Sequence, residues 1–460
     1  MKRLFIVVIA LSIFSCEKQE KKIDYAVFSG KISNPDGGKF SIRNSEKSIK
    51  EIEVLEDGTF SDTLQNIEKG YHTFKYANET ASFYLMPGYN LNLSIDPKQF
   101  DETIKYTGNG SEENNYLAQK LLNGEGLGKI ATYQYLGTLE EKTYVQLTDS
   151  VKKLELDFLN KQDNLDKEFK ALEEASITYK EALQLKRFEL YKRFVTKNDD
   201  FVKSDEFPDF ESGLNLEDEN LLVLGNYKNY LNAYYTDLSN ENSKKDSITT
   251  DIAYLKTVSN EVKSPEIKEY LLYGAAKYNV TYTKELQNYY DIFMANSTNE
   301  EHKKDITEKY NKLIKLRKGE PSPKFIDYEN YAGGTTSLDD LKGKFVYVDV
   351  WATWCGPCKR EIPSLKILEK EYHDKNIAFV SMSIDRKNDY DKWRTMVKDE
   401  ELSGVQIYAP NDWKSTFVTD YSILGIPRFI LIDPDGNIVD SNAPRPSSET
   451  LKELFNELNI

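Results

Sequence analysis

Two cysteines three positions apart are the residues best suited to chemistry in this chain. Cys355 and Cys358 enclose Gly356 and Pro357, and they follow residues 345–350, an apolar run with the β-branched and aromatic content of a buried strand. The pair is therefore predicted at a strand-to-helix junction. A helix start offers free N–H groups and the positive end of the dipole, which lower a cysteine pKa from about 8.5 to roughly 7 or below.

This arrangement predicts thiol–disulfide exchange. Cys355 is expected to attack a substrate disulfide, and Cys358, one helical turn further on, to displace the reduced product and close an internal disulfide. Gly356 and Pro357 lack bulk and fix the turn, so a partner backbone can approach. A purely structural disulfide is disfavoured because so short a loop contributes little chain-entropy stabilisation.

Metal and cofactor sites are disfavoured by the rest of the sequence. A structural zinc site needs about four ligands. The chain has no second C-x-x-C, and its histidines are His72, His302 and His373. Lys359 stands where a C-x-x-C-H haem attachment site would need histidine. No cofactor and no metal are therefore expected.

The cysteine motif carries a family resemblance. Residues 319–460 resemble the TlpA/ResA-like thiol-disulfide oxidoreductases of the thioredoxin superfamily. The resemblance implies a thioredoxin fold, an enzyme of the protein-disulfide reductase type, and proteins bearing dithiols or disulfides as substrates. It also implies that Trp354, Gly356 and Pro357 contact substrate. It rests most strongly on the run Trp354-Cys355-Gly356-Pro357-Cys358-Lys359.

Two acidic residues are proton-relay candidates. Asp349, six positions before Cys355, matches the buried acid that the resemblance implies relays the proton of the second cysteine. An acid inside an apolar strand has a raised pKa and can exchange a proton near neutrality. Glu361 matches an acidic residue close to the cysteine pair in TlpA/ResA-like proteins. A solvated acid in the first helical turn is the alternative for Glu361.

A second segment resembles the cis-proline loop of the same fold. Its predicted cis bond joins Ile426 and Pro427 within Gly425-Ile426-Pro427-Arg428-Phe429. The resemblance implies that Ile426 and Pro427 lie beside the cysteines and bind the backbone of an incoming peptide. Of the tryptophans that flank the motif, Trp351 is predicted in the core and Trp354 on a partly exposed face.

The N-terminus predicts export. A basic start and an apolar run over residues 4–14 indicate a signal peptide over residues 1–15, too short to span a bilayer, which takes about 20 residues. Ile13-Phe14-Ser15-Cys16 resembles a bacterial lipobox, although Phe14 is bulky for one. The resemblance implies a lipid on Cys16, a stalk over residues 16–24, and a periplasm-facing protein anchored to a membrane of the cell envelope. A soluble periplasmic protein is the alternative.

Cysteine usage supports a redox role. The chain has three cysteines, so lipidation of Cys16 would leave only Cys355 and Cys358 as free thiols. An exported protein with one close pair is expected to use it for redox work. The Gly-Pro dipeptide matches thioredoxin, whose reduction potential is about −270 mV, against about −120 mV for the oxidant DsbA. Reduction of substrates is therefore the expected direction. The resemblance implies a membrane protein as electron donor.

Length and pattern predict a multidomain chain of 460 residues. Period-two alternation and turn signals predict a small antiparallel, β-sandwich-like domain over residues 25–109. Helical spacing predicts an α-helical region over residues 110–318, and strands separated by helices predict an α/β thioredoxin fold over residues 319–460. The net charge of −15, from 76 acidic and 61 basic residues, disfavours nucleic-acid binding.

Several details inside these regions are also predicted. Pro87 and Gly88 mark a tight turn between two strands, Ser337 caps a short helix, and Ser447 begins a terminal helix. A tyrosine-rich stretch is expected either to fill a helical core with its hydroxyls wet or to form a partner surface. It contains Tyr227, Tyr230, Tyr234 and Tyr235.

Functions of other classes stay open. The β and helical regions could form a ligand- or partner-binding lipoprotein to which the redox module is auxiliary. A metallochaperone on a thioredoxin scaffold would be expected to use C-x-x-x-C with a distant histidine, and the spacing here is one residue shorter. A peroxidase is disfavoured because the motif lacks the Thr-x-x-Cys arrangement.

Overall fold

The computed structural model describes residues 23–43, 48–130 and 132–460. The predicted signal peptide, the lipidation site at Cys16 and the stalk up to residue 22 lie outside these described residues. The chain divides into two compact units, Met1–Ala233 and Tyr234–Ile460. Within the described ranges, no helix combines the length and the apolar character that crossing a membrane requires.

The first unit begins with two four-stranded sheets. Their strands are β1 (Tyr25–Ile32), β2 (Phe40–Arg43), β3 (Ser48–Ile52), β4 (Thr59–Gln65), β5 (Gly70–Tyr76), β6 (Glu79–Leu85), β7 (Asn90–Ile95) and β8 (Lys105–Asn109). The strand order is β4-β1-β7-β8 in one sheet and β3-β2-β5-β6 in the other. Alternate residues of β5 and β7 are buried, as a strand with one core face requires. Phenylalanine rings from both sheets meet in the core: Phe28, Phe40, Phe60, Phe74 and Phe83.

Pairing in these sheets departs from the antiparallel prediction at one place. β1 pairs with β4 antiparallel but with β7 parallel. The strands on either side of Pro87 and Gly88, β6 and β7, belong to different sheets. The parallel pair arises because β7 crosses to the sheet of β1 instead of folding back on β6.

Helices complete the first unit. They are α1 (Phe100–Thr103), α2 (Ser111–Ile130), α3 (Tyr133–Thr138), α4 (Glu141–Asn160), α5 (Lys167–Lys186), α6 (Phe188–Thr196) and α7 (Gly225–Asp246), of which α7 continues into the second unit. Tyr227, Tyr230 and Tyr235 on α7 are buried. Their burial favours the predicted helical core over a partner surface.

Buried polar contacts attach two of these helices to β strands. The side chain of Asn114 on α2 accepts the N–H of Tyr84 at 2.7 Å and donates to its carbonyl oxygen at 2.9 Å. Glu173 on α5 is 2% exposed, accepts the hydroxyl of Tyr71 at 2.5 Å, and pairs with Lys120 at 2.6 Å. These bonds satisfy groups that would be costly to bury alone.

The second unit places four helices before a seven-stranded sheet. The helices are α8 (Thr250–Glu261), α9 (Pro265–Asn279), α10 (Leu286–Asn296) and α11 (Glu300–Leu313). The elements that follow are β9 (Tyr328–Asn330), β10 (Thr335–Thr336), β11 (Phe345–Trp351), α12 (Gly356–Glu371), β12 (Ile377–Ser383), α13 (Tyr390–Asp399), β13 (Val405–Tyr408), α14 (Thr416–Asp420), β14 (Arg428–Ile432), β15 (Ile438–Asp440) and α15 (Glu449–Glu457).

Strand β11 lies in the interior of this sheet, whose order is β10-β9-β13-β12-β11-β14-β15. It pairs parallel with β12 and antiparallel with β14. Val346, Val348 and Val350 join one buried cluster and Tyr347 joins another, so both faces of the strand are covered. The mixed sheet confirms the predicted thioredoxin fold.

Two local predictions for this unit have different outcomes. Ser337 and Asp340 form the predicted capping box at a short 3₁₀ helix, Leu338–Leu341. The terminal helix α15, however, begins at Glu449 after Ser448, so the prediction that it begins at Ser447 is wrong. Ser447 instead uses its N–H and hydroxyl to bind Glu361.

Candidate active site

The two cysteines lie at the junction between β11 and α12, as their sequence context predicts. Cys355 is the N-cap of α12, and its Sγ accepts the backbone N–H of Cys358 at 3.1 Å. A disulfide joins the two residues, whose Cα atoms are 5.3 Å apart. Pro357 occupies the first turn, where a missing N–H costs no helical hydrogen bond.

Both sulfurs are held just below the surface. Cys355 is 4% exposed and Cys358 is 3% exposed, so exposure does not distinguish them in the disulfide state. Their surroundings are more open, because Pro357 and Trp354 are exposed and Gly356 is half-buried. Trp351 is 2% exposed and Trp354 is 52% exposed, which confirms the predicted contrast between the two tryptophans.

Asp349 is a buried carboxyl on β11. Burial, followed by the nearby carboxylates of Glu361 and Glu369, raises the pKa of Asp349 to about 8. Its Oδ1 has no hydrogen-bond partner among the described residues. Asp349 and Cys358 both line a small, partly open cavity of about 10 Å³, near the lower limit for one water molecule. The carboxyl and the second cysteine thus border the same space.

Glu361 is buried rather than solvated. It is 7% exposed on α12, and its carboxylate accepts the N–H of Ser447 at 3.0 Å and the hydroxyl of Ser447 at 3.1 Å. Arg445 lies 3.6 Å from the same carboxylate. The structure therefore brings Glu361 into the electrostatic environment of Asp349 and contradicts the alternative of a solvated first-turn acid.

The proline segment packs against the hydrophobic cluster to which both cysteines belong. The peptide bond between Ile426 and Pro427 is cis, as predicted. The segment leads into β14, where Arg428 lies opposite Val350 of β11. Ile426 is half-buried and packs against the cluster that contains Cys355 and Cys358.

Comparison with known proteins assigns this site to a family. Residues 317–458 match the Redoxin family model. The thioredoxin-like protein YneN of Bacillus subtilis is 30% identical over 149 residues, which cover 32% of this chain and 83% of YneN. The chain belongs to the TlpA/ResA-like thiol-disulfide oxidoreductases of the thioredoxin superfamily.

Two further matches are named thiol-disulfide oxidoreductases. The thiol-disulfide oxidoreductase ResA of Bacillus cereus is 26% identical to this TlpA/ResA-like chain over 149 residues, or 32% of the chain and 83% of ResA. A crystal structure of the thioredoxin domain of a thiol-disulfide oxidoreductase from Bacteroides vulgatus is 29% identical, covers 31% of this chain and 98% of that chain, and has a TM-score of 0.28.

Two residues that the sequence did not single out support the active-site turn of this TlpA/ResA-like protein. Thr353 donates its N–H and its hydroxyl to the carboxylate of Asp385, the hydroxyl at 2.7 Å. Asp385 is fully buried just beyond β12, where it also accepts the hydroxyl of Ser383 at 2.8 Å. These bonds fix the backbone two residues before Cys355. No local pattern marks a contact between residues 32 positions apart.

The site also includes an aromatic neighbour that the sequence did not reveal. The ring centre of Trp413 lies 6.4 Å from that of the exposed Trp354. Within the described ranges, no group of three or more His, Cys, Asp or Glu residues is arranged to hold a metal ion.

Proposed function

We propose that this protein is a protein-disulfide reductase that acts on exported proteins through Cys355 and Cys358. The observation that carries the proposal is the hydrogen bond from the N–H of Cys358 to the Sγ of Cys355 at a helix N-terminus. A donor aimed at Sγ, together with the helix dipole, stabilises negative charge on that sulfur. Cys355 is therefore the attacking thiolate, and Cys358 follows it.

The proposed reaction transfers two electrons. The Cys355 thiolate attacks one sulfur of a substrate disulfide, forms a mixed disulfide, and expels the other substrate sulfur as a thiolate. Deprotonated Cys358 then attacks the Sγ of Cys355 and releases the second substrate thiolate. The substrate is reduced to a dithiol while Cys355 and Cys358 are oxidised to a disulfide. A new cycle requires a dithiol donor to reduce that disulfide.

Asp349 is proposed to manage the proton of Cys358. With its pKa near 8, roughly a tenth of the carboxyl is ionised at pH 7, so it can accept a proton from the Cys358 thiol or return one near neutrality. The shared cavity supports transfer through one water. Glu361 is the second relay candidate, and its negative charge helps to raise the pKa of Asp349.

Substrate contacts are proposed at the exposed and half-buried residues around the sulfurs. Trp354 and Pro357 are exposed, and Gly356, Ile426 and Pro427 are half-buried. A Cβ added to Gly356 would meet no atom within 4 Å, which supports open space beside the cysteine pair. A polypeptide backbone therefore has room to approach Cys355.

The proposed setting is the periplasmic face of the cell envelope, with the chain anchored by a lipid on Cys16. An exported reductase needs electrons from across the membrane, so the proposed donor is a membrane protein that carries a dithiol. The reducing direction is supported by the Gly-Pro dipeptide between the cysteines, which matches thioredoxin.

Insulin reduction with dithiothreitol as electron source tests the proposal. The Cys355→Ser variant is expected to lose activity. In a separate incubation with insulin and no dithiothreitol, Cys358→Ser is expected to accumulate mixed disulfides that migrate above the free protein on non-reducing gels and disappear when dithiothreitol is added. Cys16→Ser is the matched control, because it removes a cysteine without touching the pair and is expected to reduce insulin normally. Wild-type turnover by either active-site variant would contradict the assigned roles.

A further inference from the structure

The connection between α9 and α10, residues 280–285, contacts the proline segment of the active site. The hydroxyl of Tyr282 donates to the carbonyl oxygen of Gly425 at 3.2 Å. A guanidinium nitrogen of Arg428 donates to the carbonyl oxygen of Thr281 at 2.9 Å. The side-chain amide of Asn442 donates to the carbonyl oxygen of Tyr282 at 3.0 Å. Residues of this connection thus hold both ends of the segment that contains Ile426 and Pro427.

Arg428 shows that this contact is part of the fold. The residue is 2% exposed, directly follows Pro427, and has its pKa lowered by burial. A buried cation needs compensating partners. The carbonyl of Thr281 supplies one, and the ring of Tyr282 supplies another, because its centre lies 4.1 Å from the guanidinium carbon. Part of the support for the charge beside the proline therefore comes from residues outside the Redoxin match, which begins at residue 317, and part from Asp440 within it.

Gly425 fits closely against Tyr282. A Cβ placed on Gly425 would lie 2.8 Å from the Tyr282 hydroxyl oxygen, closer than real Cβ contacts allow. The same hydroxyl binds the carbonyl oxygen of Gly425. Since one tyrosine both bonds to this residue and limits its size, a change in either partner is expected to displace the segment.

We propose that Tyr282 is a positioning residue for exchange with polypeptide disulfides. The inference rests on the proposed function and adds a residue outside the Redoxin match that sets the preference for polypeptide substrates. An extended polypeptide that reaches Cys355 lies along Ile426, whose side chain packs against the cluster containing the cysteines. A small disulfide reaches Cys355 without using this segment. Tyr282 thus sets the preference for polypeptides by holding Ile426 and Pro427 in place.

Steady-state kinetics with two disulfides test this role in the full chain. The probes are insulin and 5,5′-dithiobis(2-nitrobenzoic acid). Tyr282→Ala is expected to raise KM for insulin roughly tenfold, since a hydrogen bond and a ring contact are lost, and to leave kcat and the rate with the small disulfide within about twofold. Tyr282→Phe keeps the ring over Arg428 and is expected to raise KM roughly threefold. Tyr278→Ala, which removes an exposed tyrosine from α9, is the matched control and is expected to change neither.

A rescue experiment separates positioning from general destabilisation and keeps the proposal testable if Tyr282→Ala does not fold. Gly425→Ala is expected to raise KM for insulin, because its methyl group meets the Tyr282 hydroxyl. Adding Tyr282→Phe to Gly425→Ala removes that hydroxyl and is expected to lower KM again. The effects of the two substitutions on KM are therefore expected to be non-additive. Additive effects, parallel losses with both disulfides, or an unchanged KM would overturn the role of Tyr282. Failure of the wild-type protein to reduce insulin would instead overturn the proposed function.

Discussion

Replacement of Asp349 by asparagine should destabilise the protein at pH 4 and stabilise it at pH 7. Burial and the carboxylates of Glu361 and Glu369 raise the pKa of Asp349 from 3.8 to about 8 in the native state. In the unfolded chain the carboxyl returns to its ordinary pKa near 3.9. At this carboxyl the unfolded state therefore binds fewer protons than the native state across this window, and the contribution of Asp349 to the free energy of unfolding falls as pH rises, by about 1.4 kcal/mol per pH unit.

The size of the effect follows from the width of that window. At pH 7, about three units above the unfolded pKa, the penalty amounts to about 4 kcal/mol. Asparagine does not ionise and removes this penalty. The buried amide, however, costs about 1–3 kcal/mol. Asp349 Oδ1 has no hydrogen-bond partner among the described residues, so an amide atom in its place would also be unpartnered. Asp349→Asn should therefore be about 1–3 kcal/mol more stable than wild type at pH 7 and less stable at pH 4.

Urea unfolding of the oxidised protein, followed by tryptophan fluorescence at several pH values, measures this difference. The fluorescence reports on the C-terminal domain, because the four tryptophans all lie there: Trp351, Trp354, Trp393 and Trp413. Asp374→Asn is the control, since that side chain is 97% exposed. Asp349→Asn should also slow the release of reduced substrate, because Cys358 loses its proton acceptor. A stability difference that stays constant from pH 4 to pH 8 would refute both the raised pKa and the proton role.

Two further predictions concern the surroundings of the site. Glu361→Gln and Glu369→Gln should each lower the pKa of Asp349, because each removes a like charge, and the pH dependence of unfolding should shift to lower pH. An unshifted profile in both variants would show that burial alone raises this pKa. Thr353→Val should lower the free energy of unfolding by about 1–3 kcal/mol, because it removes a donor from buried Asp385. Urea unfolding checks this, and a change below about 0.5 kcal/mol would count against the contact.

The cysteine site was predictable where its parts are close in sequence. A strand followed by a helix start positions Cys355 and Cys358, and Asp349 lies on the same strand. The burial of Glu361 was not predictable from its helix, because its hydrogen-bond donor is Ser447, 86 residues away. Serine is a residue type that often precedes a helix, which is why Ser447 was predicted to begin one. Its N–H and hydroxyl instead bind Glu361, and the helix begins at Glu449.

The fold shows the same division between local and distant information. Alternation and turn residues predicted the strands, since those signals reside within each strand. The parallel pairing of β1 with β7 was not predictable, because a turn at Pro87 and Gly88 does not determine which strand the next one joins. Likewise, helical spacing predicted helices ahead of the redox domain but could not show that Tyr282 binds Gly425, 143 residues away.

Asp349 and its two acidic neighbours, Glu361 and Glu369, differ in what stabilises their charge, and that difference favours a proton on one of them. Glu361 accepts two hydrogen bonds from Ser447. Burial raises the pKa of Glu369, but a hydrogen bond from Ser403 opposes the rise. Asp349 has the least support for negative charge, and both neighbours repel it. When acids share a site in this way, the least supported one stays protonated. That acid lines the cavity beside Cys358, where proton exchange is proposed, and burial, followed by the two carboxylates, raises its pKa to about 8.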